Sequence, residues 1–462
     1  MTAARAPHPV AFTPIAEVPL RVDTLVYEHG WQSWSPAGLH PAHGTSSRPH
    51  TANAHTLGYR PGVPLPERGF QGEGLLAVLP GAGEPVRLFS ARKPADCVPS
   101  LRAEVRDGRL LISSTGDSGC VCEQSHSSDL GAALAAWAEE AAALRDRALP
   151  KIPPVWCSWY HYYLAVTDED VLENLADMDR LRIPVGVVQI DDGFEAQVGD
   201  WLEPSNRFER PLAEIADRIR ASGRRAGIWL APFLAGAESR LAQDHPDWLL
   251  AGADAGHNWG QQLHALDVTN PAAAEWLQNV VSMFRGWGFD YFKLDFLYAG
   301  ALSGRRRQAA TEVAAYREGL RLIREAVGPE ATLLGCGAPL LPSIGLVDAM
   351  RVSPDVALWE VLEEADLSQP SRRLAMLAGR ARAFQQGRLW LNDPDCLIAR
   401  PAMEGREAWA SHIEQFGGLR SASDRLADLD AWGLETTRRL LTPARTEPFP
   451  LGRLDLEGAP MA

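Results

Sequence analysis

After residue 154 the sequence alternates short apolar runs with amphipathic stretches, whereas residues 1–125 are rich in Gly, Pro, Ser and His, with apolar runs cut by turn residues. These two textures predict an α/β chain: a (β/α)8 (TIM) barrel preceded by an N-terminal antiparallel β-domain, with a short C-terminal helix and tail after it. The 462 residues suffice for two or three domains. The divisions are expected at 1–150 for the β-domain and a linker helix, 151–426 for the barrel, and 427–462 for the C-terminal helix and tail.

The elements follow in order. Leu25-Val26-Tyr27, Leu75-Leu76-Ala77-Val78-Leu79 and Leu110-Leu111-Ile112 are short apolar runs separated by turn residues, as in antiparallel sheet. An alanine-rich helix is expected over 130–148 and is stopped by the prolines at Pro150, Pro153 and Pro154. Barrel strands are then expected at Val155–Tyr160, Val185–Ile190, Ala226–Ala231, Tyr291–Phe296, Thr332–Cys336, Ala349–Val352 and Leu389–Leu391, with a weak eighth near Gly418–Ala422. Helices are expected over 168–181, 211–222, 271–287, 306–327 and 371–386. Two have clear starts: Thr167 before Asp168-Glu169-Asp170, and Asn270 before Pro271. Seven or eight strand–helix units fit a closed barrel better than an open sheet. No fixed-period repeat of the solenoid kind occurs. A last helix is expected over Ala427–Leu441.

Composition narrows the function. The net charge of −14 argues against a nucleic-acid binder, which needs a positive stripe, and disfavours an anionic membrane surface. A neutral or cationic small molecule fits better. No apolar run has the length of a membrane span or of a signal peptide's core. The six cysteines are scattered without metal-ligand spacing and read as reduced thiols, so a cytoplasmic location is expected. Lysine is scarce: Lys93, Lys151 and Lys293 are the only three.

In a barrel of this kind the chemistry sits at the C-terminal ends of the strands. The ends are Trp159-Tyr160-His161, Asp191-Asp192-Gly193, Trp229 with Pro232, Lys293-Leu294-Asp295, Gly335-Cys336-Gly337, Arg351-Val352-Ser353-Pro354-Asp355 and Asn392-Asp393-Pro394-Asp395. An aspartate at such a place can simply cap the next helix. Asp295 is harder to explain that way, because it shares a strand face with Lys293, two residues away, and that face is the barrel interior. Several carboxylates with indoles in one pocket describe a glycosidase, in which one carboxylate attacks the anomeric carbon and another carboxyl protonates the leaving oxygen. Other chemistries fit less well. His161 is the single histidine at a strand end, so no metal is expected. No Gly-x-Ser-x-Gly turn, phosphate loop or dinucleotide fingerprint occurs. Gly337 is expected to let backbone approach a ligand closely.

At these residues the sequence resembles the α-galactosidases of glycoside hydrolase family 36. The likeness runs from about Gly30 to Leu426. It is carried by Trp156-Cys157-Ser158-Trp159-Tyr160-His161-Tyr162, Gln189-Ile190-Asp191-Asp192-Gly193-Phe194, Gly199-Asp200-Trp201, Gly227-Ile228-Trp229-Leu230-Ala231-Pro232, His245-Pro246-Asp247-Trp248, Tyr291-Phe292-Lys293-Leu294-Asp295-Phe296, Leu334-Gly335-Cys336-Gly337 and Arg351-Val352-Ser353-Pro354-Asp355, in family-like order and spacing. The resemblance implies Asp295 as nucleophile and Asp355 as general acid/base. It implies Asp191 and Asp192 as readers of the 4- and 6-hydroxyls of galactose, and Lys293, Cys336 and Arg351 as further sugar-pocket residues. Trp159, Tyr160 and Trp229 match pocket-wall positions. Gly30-Trp31-Gln32-Ser33-Trp34 resembles a loop that reaches over the site, with Trp34 as the residue that does so.

What the resemblance implies is double displacement with net retention, on terminal α-linked galactose of melibiose- or raffinose-type galactosides, with no cofactor. Two alternatives stay open: a galactosyltransferase of the raffinose-synthase kind, and a non-catalytic galactoside-binding protein. The sequence departs from the family at Leu294, where many members have tryptophan, in a short N-terminal β-domain, and in an expected short C-terminal helix and tail where the family usually has a full β-sandwich. Sugar and linkage specificity, and whether the chain forms a homo-oligomer, are left open.

Overall fold

A barrel strand exposes every second residue to the interior, and six of the eight strands here repeat one change of chemistry along that face. The computed structural model describes residues 10–116, 119–125, 128–359 and 370–450; the expected outermost ends, 1–9 and 451–462, lie outside the described residues. Its parallel strands are Val155–Cys157, Val187–Ile190, Arg225–Leu230, Phe289–Leu294, Thr332–Gly335, Ala349–Arg351, Leu391–Asp393 and Ser421–Ala422, each beside its chain neighbour, with the eighth paired to the first. At the lower end Val155, Val187, Tyr291, Leu334, Ala349 and Leu391 pack as one apolar plug. Gly227 makes room for it, since a Cβ there would lie 3.0 Å from the Tyr291 ring. Two residues further along the same strands stand Cys157, Gln189, Lys293, Cys336, Arg351 and Asp393. A dry floor thus supports a polar layer, and the pocket lies above it.

Each expected run contains a strand. The first ends earlier than expected, at Cys157, because Trp159–Tyr162 coils into a helical turn. The weak eighth is two residues long, paired as Val155↔Ser421 and Trp156↔Ala422. On its other side the ring closes without a regular ladder: the N–H groups of Gly418 and Leu419 both donate to the Asn392 carbonyl at 2.9 Å, and Leu397 bridges Ala422.

Helices Asp168–Arg180, Leu212–Ala221, Pro271–Gly286, Glu312–Val327, Arg372–Ala381, Arg406–Phe416 and Ala431–Leu440 surround the strands. Thr167 forms a full capping box with Asp170, and Asn270 accepts from the Ala272 N–H beside Pro271. The fourth helix starts later than the expected 306, because Arg307 and Gln308 donate their N–H groups to Asp267 and Thr269 instead of to a helical turn. After the fifth strand the helix shrinks to one turn, Leu340–Ser343. The linker helix Leu130–Ala141 and the short turn Ala142–Leu144 pack nearby, and Arg147 pairs with Asp348, which also holds Arg324 at 2.7 Å. Helix Ala431–Leu440 follows the eighth strand and packs on Arg406–Phe416, so it completes the ring of barrel helices. Beyond it the Ala444 N–H donates to Ile152, and Ala444 joins the apolar plug from below.

Two antiparallel sheets precede the barrel. One has the order Thr13–Pro19, Arg109–Ser114, Ser100–Arg106, Phe70–Glu73; the other Ala37–Pro41, Leu25–His29, Leu75–Leu79, Arg87–Ala91, Val121–Ser125. Strand Leu75–Leu79 shows why it reads as a continuous apolar run. Leu76 and Val78 face the core between the two sheets, whereas Leu75, Ala77 and Leu79 face the larger core shared with the barrel. The sequence reading did not foresee a third, three-stranded antiparallel sheet (Leu234–Gly236, His257–Asn258, Gln261–Ala265) after the third barrel strand, nor helix Arg406–Phe416. Among the described residues no helix is long and apolar enough to cross a membrane.

Candidate active site

The pocket above the polar layer is built mainly from the ends of the second, fourth, sixth and seventh strands. Asp295 ends the fourth, its own N–H bound to the Leu230 carbonyl at 2.8 Å. The next residue, Phe296, takes a left-handed conformation (φ +50°) that turns the chain sharply out of the barrel. Its N–H then donates to Asp295 Oδ1 at 2.8 Å, and the Trp229 Nε1–H donates to Asp295 Oδ2 at 3.0 Å. Both oxygens are thus fixed, Oδ1 by the backbone of its own turn and Oδ2 by the neighbouring strand.

Lys293 lies beneath, with Nζ 2.9 Å from Asp191 Oδ2 and 3.7 Å from Asp295 Oδ2. Burial alone would lower the Lys293 pKa, but the two carboxylates outweigh it and hold the ammonium well above its usual range. Asp191 Oδ2 also accepts from Gln189 Nε2 and from the Cys157 thiol, and Asp191 Oδ1 accepts from the Asp192 N–H at 3.0 Å. Burial and the adjacent Glu195 push the Asp192 carboxyl well up. Its Oδ2 accepts from Trp259 Nε1 at 2.8 Å, while Oδ1 is buried with no protein partner among the described residues.

On the opposite side Arg351 Nη1 lies 2.8 Å from Asp355 Oδ1. The Asp355 side chain is one-third exposed, at the mouth. Burial raises its carboxyl pKa, and Arg351 and Lys293 oppose that rise. Cys336, from the fifth strand, is buried among these charges, and its thiol is pushed well up by burial and by Asp295.

The fold thus brings together Asp191, Asp192, Lys293, Asp295, Cys336, Arg351, Asp355 and Trp229. Trp34 arrives from the N-terminal region: its ring lies edge-on to Phe296, with centroids 4.9 Å apart and planes at 82°. Gly337, expected to admit a ligand, instead admits this indole; a Cβ there would be 2.8 Å from Trp34 Cη2. The Trp34 Nε1–H is buried and unpartnered among the described residues. The hydroxyl of Tyr160 donates to Asp395. Trp159 sits further out, edge-on to Tyr163 at the rim, with no hydrogen bond to the carboxylates. His161 turns away from the pocket, 3.8 Å from Asp428.

The sequence reading missed Trp259. It occupies the turn between His257–Asn258 and Gln261–Ala265, where Trp259 and Gly260 both have positive φ, +50° and +73°. This is a two-residue hairpin turn of the primed type, and the Asn-Trp-Gly string was its signal. It also left Asp395 without a role.

A closed barrel with paired carboxyl groups, two buried cations and an indole wall at the C-terminal mouth defines a glycoside hydrolase. The melibiase family model matches residues 142–320. The chain is 33% identical to an α-galactosidase from Thermus thermophilus solved with p-nitrophenyl α-D-galactopyranoside; the match covers 95% of this chain and 88% of that one, with a TM-score of 0.79. The family 36 α-galactosidase of Geobacillus stearothermophilus shares the fold at 13% identity, covering 92% of this chain and 61% of that one, with a TM-score of 0.61. A curated relative, α-galactosidase 2 of Pediococcus pentosaceus, is 26% identical over 152 residues, which is 31% of this chain; the match spans about a fifth of that relative's length. The chain belongs to the α-galactosidases of glycoside hydrolase family 36.

Proposed function

We propose that the protein is a retaining α-galactosidase, releasing terminal α-linked galactose from melibiose- or raffinose-type galactosides. The observation that carries this reading is that Asp295 and Asp355 stand beyond the ends of the fourth and sixth strands, Asp295 beside Lys293 and Asp355 paired with Arg351. Asp295, oriented by Trp229 and Phe296, attacks the anomeric carbon while Asp355 gives its proton to the leaving oxygen. Asp355 then takes a proton from water, which displaces Asp295, and α-galactose leaves. The raised pKa of Asp355 suits the first step. Asp191 Oδ2 is engaged by Lys293, Gln189 and Cys157, which fixes the carboxylate so that Oδ1 acts as the acceptor in the pocket. The uncommitted Asp192 Oδ1 and Trp34 Nε1–H are an acceptor and a donor for sugar hydroxyls. The Thermus relative, solved with an aryl α-galactoside and also with stachyose, supports the substrate class.

The test is hydrolysis of p-nitrophenyl α-galactoside by the wild type beside Asp295→Ala. Loss on the order of 10⁴-fold or more is expected in kcat for the variant. Equal turnover by the two proteins would remove Asp295 from its role. Proton NMR of the first-formed sugar should show the α-anomer, and β-galactose appearing first would exclude retention.

A further inference from the structure

The reaction described above does not use Asp395, a buried carboxyl beyond the end of the seventh strand. Arg351 gives three nitrogens to three carboxylates: Nη1 to Asp355 at 2.8 Å, Nη2 to Asp395 at 2.8 Å and Nε to Asp393 at 3.2 Å. Asp395 is fully buried and holds φ +94°, a conformation a non-glycine residue keeps only when its surroundings impose it. Those surroundings are dense. Asp395 Oδ1 accepts from Cys396 N–H at 2.7 Å, and Oδ2 accepts from the Tyr160 hydroxyl and from Val356 N–H at 2.9 Å. Val356 is the residue after Asp355. Asp395 therefore grips Asp355 from two directions: through the guanidinium that Asp355 binds, and through the backbone that carries it.

We propose that Asp395 is a positioning residue for Asp355, holding its carboxyl in place through Arg351 and the Val356 N–H, and sharing with it the proton that the carboxylate cluster retains. The inference rests on Asp355 being the general acid. Charge arithmetic supports it: the buried Asp393 and Asp395 share one guanidinium with the partly exposed Asp355, and that excess of negative charge favours a retained proton. The Asp395 carboxyl is pushed up to about 7: burial and the charges of Asp355 and Asp393 raise it, against the pull of Arg351 and the Tyr160 hydroxyl. The groups facing the pair are Tyr160 from the first strand end, Asp191 from the second, Lys293 and Asp295 from the fourth, Cys336 from the fifth, Arg351 from the sixth and Asp393 from the seventh. Lys293 and Arg351 favour loss of the Asp355 proton; Asp295 and Asp191 oppose it.

The readout is the pH dependence of kcat/KM on melibiose, whose sugar leaving group needs a proton, for the wild type, Asp395→Asn and Asp395→Glu. Asparagine keeps the shape but removes the charge and one of the two acceptor oxygens, so Asp355 loses its proton more readily and the alkaline limb moves to lower pH by about one unit. A limb that stays at the wild-type pH, with activity lowered equally at every pH, overturns the proposal. Should the asparagine variant fail to fold, Asp395→Glu carries the test. It retains the charge but displaces the grip on Val356, so the limb stays while kcat falls roughly tenfold to a hundredfold. A glutamate variant with wild-type kcat overturns the positioning role. Absence of wild-type turnover overturns the functional reading itself, and the inference with it, whereas wild-type turnover with an unmoved asparagine limb overturns only the role of Asp395.

Discussion

Trp259 stands in a backbone conformation that bulky side chains avoid, and the position it gains explains why. Its N–H reaches Asp192, and its ring packs on Phe296 with centroids 4.8 Å apart and lies 6.2 Å from Trp229. Trp259→Phe retains the packing and deletes the donor. Losing a hydrogen bond to a buried carboxyl costs about 1.5–3 kcal/mol, so KM for an α-galactoside should rise by roughly tenfold or more with little change in kcat. Steady-state kinetics check this, and an unchanged KM would separate Trp259 from substrate binding. Single residues were unevenly legible in the sequence. Asp295 and Lys293 announced themselves, because a carboxylate and an ammonium two apart on an apolar strand must share the interior. Asp395 was visible at a strand end, but its partner Val356 is 39 positions earlier in the chain, and no local pattern encodes such a pairing.

Among the elements, the loop carrying Trp34 is held by atoms from two separate parts of the barrel, the segment after the fifth strand and Arg382. Ser33 exchanges N–H···O bonds with Ala338, and Leu340 donates its N–H to the Trp31 carbonyl. Arg382, fully buried, donates to the carbonyls of Gln32, Ser33, Ser35 and Val352. Gly337→Ala puts a Cβ against the Trp34 ring at a residue of φ +52°. A stability loss of about 1–2 kcal/mol is expected, together with a larger KM, as the indole is pushed aside. Thermal denaturation and kinetics on one preparation measure both; a variant with wild-type KM would mean that Trp34 does not touch substrate. The barrel strands were legible because their runs are apolar on both faces. The hairpin of Trp259 was not, because its strands, His257–Asn258 and Gln261–Ala265, are short and largely polar. Helix Arg406–Phe416 had a weak signal of its own: Trp409, Ile413 and Phe416 are spaced as one buried face.

At the scale of the whole molecule, the five-stranded sheet belongs to two cores at once. Leu75 is fully buried on the barrel side, whereas Leu76 is fully buried between the sheets. The N-terminal sheets and the barrel should therefore unfold together. Leu75→Ala should lower the stability of the entire chain by about 2–5 kcal/mol. Calorimetry should then show one transition moved to lower temperature, and a second peak at the original temperature would mean that the barrel melts by itself.

The ring closes between Val155 and Ser421, at opposite ends of the barrel segment. During synthesis from the N-terminus, the first strand waits for its last neighbour until residue 421 and those around it have emerged. Until then the upper polar layer has no closed wall around it, and the apolar plug below it lacks Leu419 and Ala444. Competence thus comes late and all at once. A ribosome-bound fragment ending before residue 421 should expose a half-built, greasy ring to chaperones rather than a working pocket to sugar.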